Sequence, residues 1–220
     1  MSRTQPRGRP ARPGRAAGRA AVRRPTAAAV AAVAGLALVF LSSVVAADGT
    51  VPAWERSVFR ALNGLPGWLE RSMWAAQLLG VLATPLVPAL VAAVLRLWRL
   101  ALTLVLVLPL KLYVERDVLK EIVQRQRPGQ NEPGAILRDV PPAGLSFPSG
   151  HALVAFAVAT LLAPYLSRSW RLVAFGLALL VCVARVYLGA HNPLDVTAGA
   201  GAGLAVGGAL ILVLGVRRRA

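Results

Sequence analysis

Six apolar runs, at 27–47, 74–95, 100–122, 152–166, 172–190 and 194–214, follow one another along this chain, most of them near the length that crosses a lipid bilayer. The hydrocarbon core of a bilayer is about 30 Å thick and takes about 20 apolar residues in a helix. Within it every backbone N–H and C=O must be satisfied inside the segment, a condition that helices meet. The fold class expected is therefore all-α, an integral membrane bundle of about six transmembrane helices. Composition agrees, with 56% hydrophobic residues and a mean hydropathy of +0.60, against about 45–50% apolar residues in soluble domains. The third run is the least regular. It contains Pro109, Lys111 and Glu115, so its outer half is expected to face the bundle interior or water, with Lys111 and Glu115 one helical turn apart.

The formal net charge of +16 invites a nucleic-acid reading, but the arginines are distributed otherwise. Eight precede Pro25, Arg96 and Arg99 separate the second and third runs, Arg168 and Arg171 the fourth and fifth, and Arg217 to Arg219 end the chain. With the first run going inside to outside, these 15 of the 23 arginines fall on the cytoplasmic side, as the positive-inside rule requires. The expectation is a multi-pass protein of the cell membrane with both termini cytoplasmic. Residues 1–25 lack apolar periodicity and read as a disordered basic arm that sets topology and touches anionic lipid; residues 26–220 read as the membrane domain. No nucleic-acid partner is expected. A cleaved signal peptide ending near Val45-Ala46-Ala47 is the other reading of the first run, which is long for one. The single cysteine, Cys182, reads as packing and leaves no disulfide possible within one chain.

Between the spans, 51–69 carries Trp54, Val58, Phe59, Leu62, Leu65, Trp68 and Leu69 and suits a short amphipathic segment on the outer membrane surface. The stretch 124–147 is the one sizeable polar loop, irregular by its prolines and glycines. In the last run, Ala198 to Gly203 and Gly207-Gly208 form a packing surface rather than a nucleotide loop, because no strand precedes them.

Both histidines of the chain, His151 and His191, fall at span boundaries. His151 closes Phe147-Pro148-Ser149-Gly150-His151; His191 lies in Arg185-x5-His191-x3-Asp195; and Lys120-x6-Arg127-Pro128 precedes both. Ser149 is a natural N-cap and Gly150 permits close backbone approach, so the helix they begin offers an anion site. Asn192 caps and Pro193 starts the last span, which puts Asp195 at its third helical position. From there the carboxylate can cap the helix and also reach one ring nitrogen of His191, leaving the other to attack phosphorus. Lys120, Arg127 and Arg185, taken singly, read as interfacial snorkelling residues. Together they supply the donors that clamp a phosphate and stabilise a phosphoryl-transfer transition state.

In these three motifs the chain resembles the type 2 phosphatidic acid phosphatase superfamily, whose signature reads KxxxxxxRP, PSGH and SRxxxxxHxxxD. Ala184 stands where the family has serine. The resemblance runs from about Ala53 to the C-terminus. It implies His191 as nucleophile forming a phosphohistidine, Asp195 as the group that orients it, and His151 as general acid. It further implies Lys120, Arg127, Ser149, Gly150 and Arg185 as phosphate-binding residues, with no metal and no cofactor. The function expected is a metal-independent phosphatase for a lipid phosphate or polyprenyl diphosphate, its site at the outer membrane surface and its partners the lipid substrate and the bilayer. Polyprenyl diphosphates, phosphatidic acid and phosphatidylglycerol phosphate are candidate substrates, and the oligomeric state stays open. The vanadium haloperoxidase branch shares such a pocket but is soluble. A lipid-carrier binding or transport protein would keep the cations without needing a nucleophile paired with an acid.

Overall fold

The computed structural model describes residues 25–216. The expectations for the basic arm, residues 1–24, and for Arg217 to Arg219 lie outside the described residues. Regular structure within them is helical, apart from an isolated antiparallel bridge between Gln126 and Leu145 and a bridge position at Val216. In chain order the helices are α1 Thr26–Ala46, α2 Ala53–Asn63, α3 Glu70–Gln77, α4 Leu86–Val94, α5 Trp98–Leu112, α6 Lys120–Ile122, α7 Pro128–Asn131, α8 Gly150–Leu162, α9 Arg168–Tyr187 and α10 Pro193–Leu214. A π-helical segment, Tyr113–Leu119, joins α5 to α6.

Among the described residues α1, α9 and α10 are the helices long and apolar enough to cross a membrane. The second apolar run departs from the single span expected of it. It is divided into α3 and α4 by a 3-10 turn, Leu78–Gly80, and a bend. Gly80 lies against the backbone of α8, where a Cβ would come within 2.6 Å of the His151 carbonyl oxygen. Pro85 then caps α4, and Pro88 sits in its first turn, where a missing N–H costs nothing. The fourth run is also shorter as an α-helix than expected, ending at Leu162 before a 3-10 turn over Ala163–Tyr165.

Helix α10 is the axis of the bundle, and its glycines explain why. Gly199, Gly203 and Gly207, spaced by four, face α8: a Cβ on them would stand 2.9 Å from Ala152 Cβ, 2.8 Å from Ala157 N and 2.8 Å from Thr160 Cβ. Gly201 and Gly208, spaced by seven, face α1, with 2.7 Å to the Gly35 carbonyl and 2.6 Å to that of Ala28. Small residues on both faces let two helices pack against α10 at backbone distance. Large apolar side chains point outward instead, among them Val30, Val33 and Phe40 of α1, Leu90 and Val94 of α4 and Leu172 of α9. A bilayer, not water, solvates such an exterior.

The helix ends sort into two groups. The last residue of α1, Ala46, packs with Val123, Phe147, Leu194 and Ala198, so the end of α1 meets the start of α10 and the approach to α8. At the opposite end Ala28, Leu100, Leu104, Leu161, Leu210 and Val216 form another cluster, and the Arg99 guanidinium donates to the Leu214 carbonyl. Both ends of the described chain therefore lie together, away from the face where α6, α8, α9 and α10 present motif residues. The buried stripe of α2 is Glu55, Phe59 and Asn63, while Trp54 and Val58 point outward. The segment 51–69 is thus more than a surface anchor. Asn63 Nδ2 donates to the carbonyls of Ile136 and Tyr187, each at 2.9 Å, and its Oδ1 accepts from the Ile136 N–H at 2.8 Å.

Candidate active site

The spacing of the third motif is the geometry of one helix ending and the next beginning. Helix α9 closes in a Schellman arrangement: the Gly189 N–H donates to the Val186 carbonyl and the Ala190 N–H to that of Arg185, both at 3.0 Å. Gly189 has φ +79°, and a Cβ there would press on the Ile136 carbonyl, so glycine is required twice over. Asn192 then caps α10, Pro193 is its first residue, and Asp195 Oδ2 accepts the Asn192 N–H at 2.7 Å. Arg185 in the last turn of α9, His191 at the apex and Asp195 in the first turn of α10 are brought to one place by this local architecture.

His191 is buried, with Nδ1 3.7 Å from Asp195 Oδ2. That faces the ring nitrogen to the carboxylate at ion-pair distance, without a hydrogen bond between them. The carboxylate is engaged elsewhere: Oδ2 by the Asn192 N–H, and Oδ1 by Arg125 Nη1 at 3.3 Å. Burial first, and then the cations Arg185 and Arg127, hold the His191 imidazole well below its usual pKa, so the neutral ring is favoured.

Arg125 and Glu55 are the residues that sequence reasoning missed. Both are fully buried. Arg125 donates through Nη1 to Glu55 Oε1 at 2.9 Å and through Nη2 to Oε2 at 2.5 Å, and Nη2 also donates to the Thr50 carbonyl at 2.9 Å. Glu55 Oε1 in turn accepts the Leu194 N–H at 2.8 Å. Burial opposes the guanidinium charge, but Glu55 and Asp195 more than restore it and raise the Arg125 pKa. Gln77, another residue missed, accepts from Arg185 Nη1.

The second motif lies against the first and third. Ser149 occupies the N-cap position of α8 but makes no side-chain cap, contrary to expectation. Its N–H instead donates to the Asp195 carbonyl at 2.9 Å, fastening α8 to α10. Ser149 Oγ, Arg185 Nε and His191 Nδ1 are buried with no hydrogen-bond partner among the described residues. Orphaned buried polar atoms are uncommon and mark sites shaped for something else. His151, half-buried in the first turn of α8, lies within electrostatic reach of Arg185, His191, Lys111 and Glu115.

From the first motif, the Arg127 N–H donates to the Gly144 carbonyl at 3.1 Å and Nη1 to that of Ala190 at 3.0 Å, beside His191. Lys120 Nζ is 2.7 Å from Glu115 Oε1, and a Cβ on Gly150 would meet Glu115 Cδ at 2.8 Å. Lys120, Arg127 and His151 are half-buried at the rim, while Ser149, Gly150, Arg185, His191 and Asp195 are buried beneath them. The arrangement offers cations and N–H donors for a polyanion, a neutral imidazole at depth and a second imidazole nearer the opening.

The model of the PAP2 superfamily matches residues 92–219, which contain all three motifs, and the chain belongs to that superfamily. Decaprenylphosphoryl-5-phosphoribose phosphatase of Mycobacterium tuberculosis is 36% identical over 109 residues, 47% of this chain and 55% of the relative. The chain thus spans about half the length of the curated relatives it matches. Two solved structures share the fold. Aquifex aeolicus LpxE aligns with TM-score 0.55 and 25% identity over 70% of this chain and 93% of that one. The transmembrane PAP2 type phosphatidylglycerolphosphate phosphatase of Bacillus subtilis aligns with TM-score 0.64 and 24% identity over 80% and 94%.

Proposed function

We propose that this protein is a six-span membrane phosphatase. It removes phosphate from a lipid phosphate or polyprenyl diphosphate at the outer face of the membrane, without a metal and through a phosphohistidine. The observation that carries the reading is the pairing of unlike histidines: His191 buried beside Asp195, and His151 half-buried at the rim, with Lys120, Arg127 and Arg185 around them. A site built only to bind an anion has no use for a neutral imidazole at its floor. In the first step His191 Nε2, on the ring edge away from Asp195, forms a bond to phosphorus. The bond from phosphorus to the lipid oxygen breaks, and that oxygen takes a proton from His151. An entering phosphate brings negative charge against His151, which favours its imidazolium form. In the second step water attacks phosphorus, the P–N bond breaks, and His151 takes the proton of the water. The products are the lipid alcohol, or the lipid monophosphate from a diphosphate, and inorganic phosphate. Asp195 stabilises the positive charge that the phosphorylated ring carries.

The activity named for the 36% identical relative, a decaprenylphosphoryl-5-phosphoribose phosphatase, supports a membrane lipid carrying a terminal phosphate as substrate. The outer location is supported by the charge pattern, since the motif face lies opposite the end where Arg99 meets Leu214 and the described chain ends.

The test is to compare His151→Ala with the native protein on a lipid phosphate and on a nitrophenyl phosphate, in detergent with excess chelator. Native activity is expected to persist with chelator. His151→Ala should lose about 10²–10⁴-fold on the lipid, the range of general acid catalysis, and much less on the aryl ester, whose leaving group needs no proton. Equal losses on both substrates, or activity restored only by added magnesium, would contradict the proposal.

A further inference from the structure

Glu115 carries the same sign as a phosphate, and it lies against Lys120 and Gly150, two of the residues proposed to bind one. Its Oε1 is 2.7 Å from Lys120 Nζ and its Oε2 is 2.5 Å from Lys111 Nζ. Its carboxyl group lies against the first residue of α8, since a Cβ on Gly150 would stand 2.8 Å from Glu115 Cδ and equally close to Lys111 Cε. Its charge also acts on His151, His191 and Arg127. The π-helical segment Tyr113–Leu119 makes this possible. Winding with i→i+5 bonds brings residues five apart, such as Glu115 and Lys120, onto one face, where an α-helix would separate them by roughly 140°. Lys111 belongs to none of the three motifs, yet its ammonium reaches the same carboxylate.

We propose that Glu115 is the resident anion of the phosphate subsite, and that substrate phosphate displaces it. Lys111 then becomes a phosphate donor beside Lys120. The inference rests on the phosphatase reading for the identity of the substrate. Two ammonium groups beside a helix N-terminus repel one another in a partly buried pocket, and the carboxylate offsets that repulsion while no ligand is bound. A phosphate dianion brings more charge and more acceptor oxygens than the carboxylate, so exchange is possible. The carboxylate cannot stay beside it, because like charges at that distance repel. Exchange weakens binding of every phosphate, the released product included, so Glu115 keeps inorganic phosphate from blocking the site.

Orthovanadate binding to the full chain in detergent, followed by calorimetry, tests this through the sign of two effects. Glu115→Gln should bind vanadate roughly tenfold more tightly, the factor expected if the carboxylate fills the cradle about nine-tenths of the time. Glu115→Asp, which draws the charge back by one methylene, should also bind more tightly. Lys111→Met should bind roughly tenfold more weakly through loss of one charge-assisted hydrogen bond. A triad that served only to hold the helix together would weaken binding in all three variants. Unchanged or weaker binding in whichever of Glu115→Gln and Glu115→Asp folds would overturn the proposal. Lack of phosphate release by the native protein, with the vanadate effects as stated, would count against the phosphatase reading and leave the assignment of Glu115 and Lys111 standing.

Discussion

The two histidines differ in depth, and that difference sets how activity depends on pH. His191 is disfavoured as a cation, by burial first and by Arg185 and Arg127 after it, so its pKa lies well below 6.5. Falling pH protonates it and, in the proposed mechanism, removes the attacking lone pair, but only below that ordinary value. The acid limb that His191 contributes to kcat/KM should therefore fall below pH 6.5, and in Arg127→Gln, with one repelling cation gone, it should move to higher pH. A limb that stays in place in Arg127→Gln would show that Arg127 does not act on His191. The residues legible in the sequence were those in fixed spacings, because Arg185-x5-His191-x3-Asp195 is written by one helix end and the next helix start. Arg125 and Glu55 were not legible: they are 70 residues apart in the chain and meet only through the packing of α2. A glutamate in an amphipathic stretch reads as solvent-facing. The one trace was its position four and eight residues before Phe59 and Asn63, on the stripe that α2 buries.

At the scale of elements, the small residues of α10 were readable as a packing face, and the structure divides them between two partners, α8 and α1. The division makes a prediction about single methyl groups. Gly203→Ala puts a Cβ 2.8 Å from the Ala157 nitrogen, whereas Gly176→Ala, within α9, meets nothing within 4 Å. Gly203→Ala should cost about 1–3 kcal/mol through overpacking, and Gly176→Ala should be neutral or stabilising by up to about 1 kcal/mol. Thermal unfolding in detergent would check the pair, and equal midpoints would contradict the packing described. The interruption of the second apolar run and the π-helical segment after α5 were not readable from hydropathy. An apolar run has the same composition whether it is one helix or two, and a π-segment leaves no periodic mark. Within the run Gly80 sits on the backbone of His151, a contact that only the assembled bundle supplies.

For the whole molecule, hydropathy and arginine placement made an all-helical membrane protein legible, while the number of spans rests on helices whose length the tertiary packing sets. The proposed topology puts the loop 124–147 outside and the arginine pairs inside. In a background with Cys182 replaced by alanine, Ala143→Cys should react with an impermeant thiol reagent on intact cells, and Arg168→Cys only after permeabilisation. The reverse pattern would contradict the orientation. The proposed mechanism is covalent: a phosphoryl group passes through His191 while His151 handles the proton. Acid quenching destroys phosphohistidine, so the direct measurement is an alkaline quench during turnover of a phosphate-labelled lipid, followed by peptide mass spectrometry. The label should be found on His191 in the native protein, persist in His151→Ala and be absent from His191→Ala; label on another residue, or retained in His191→Ala, would contradict the account.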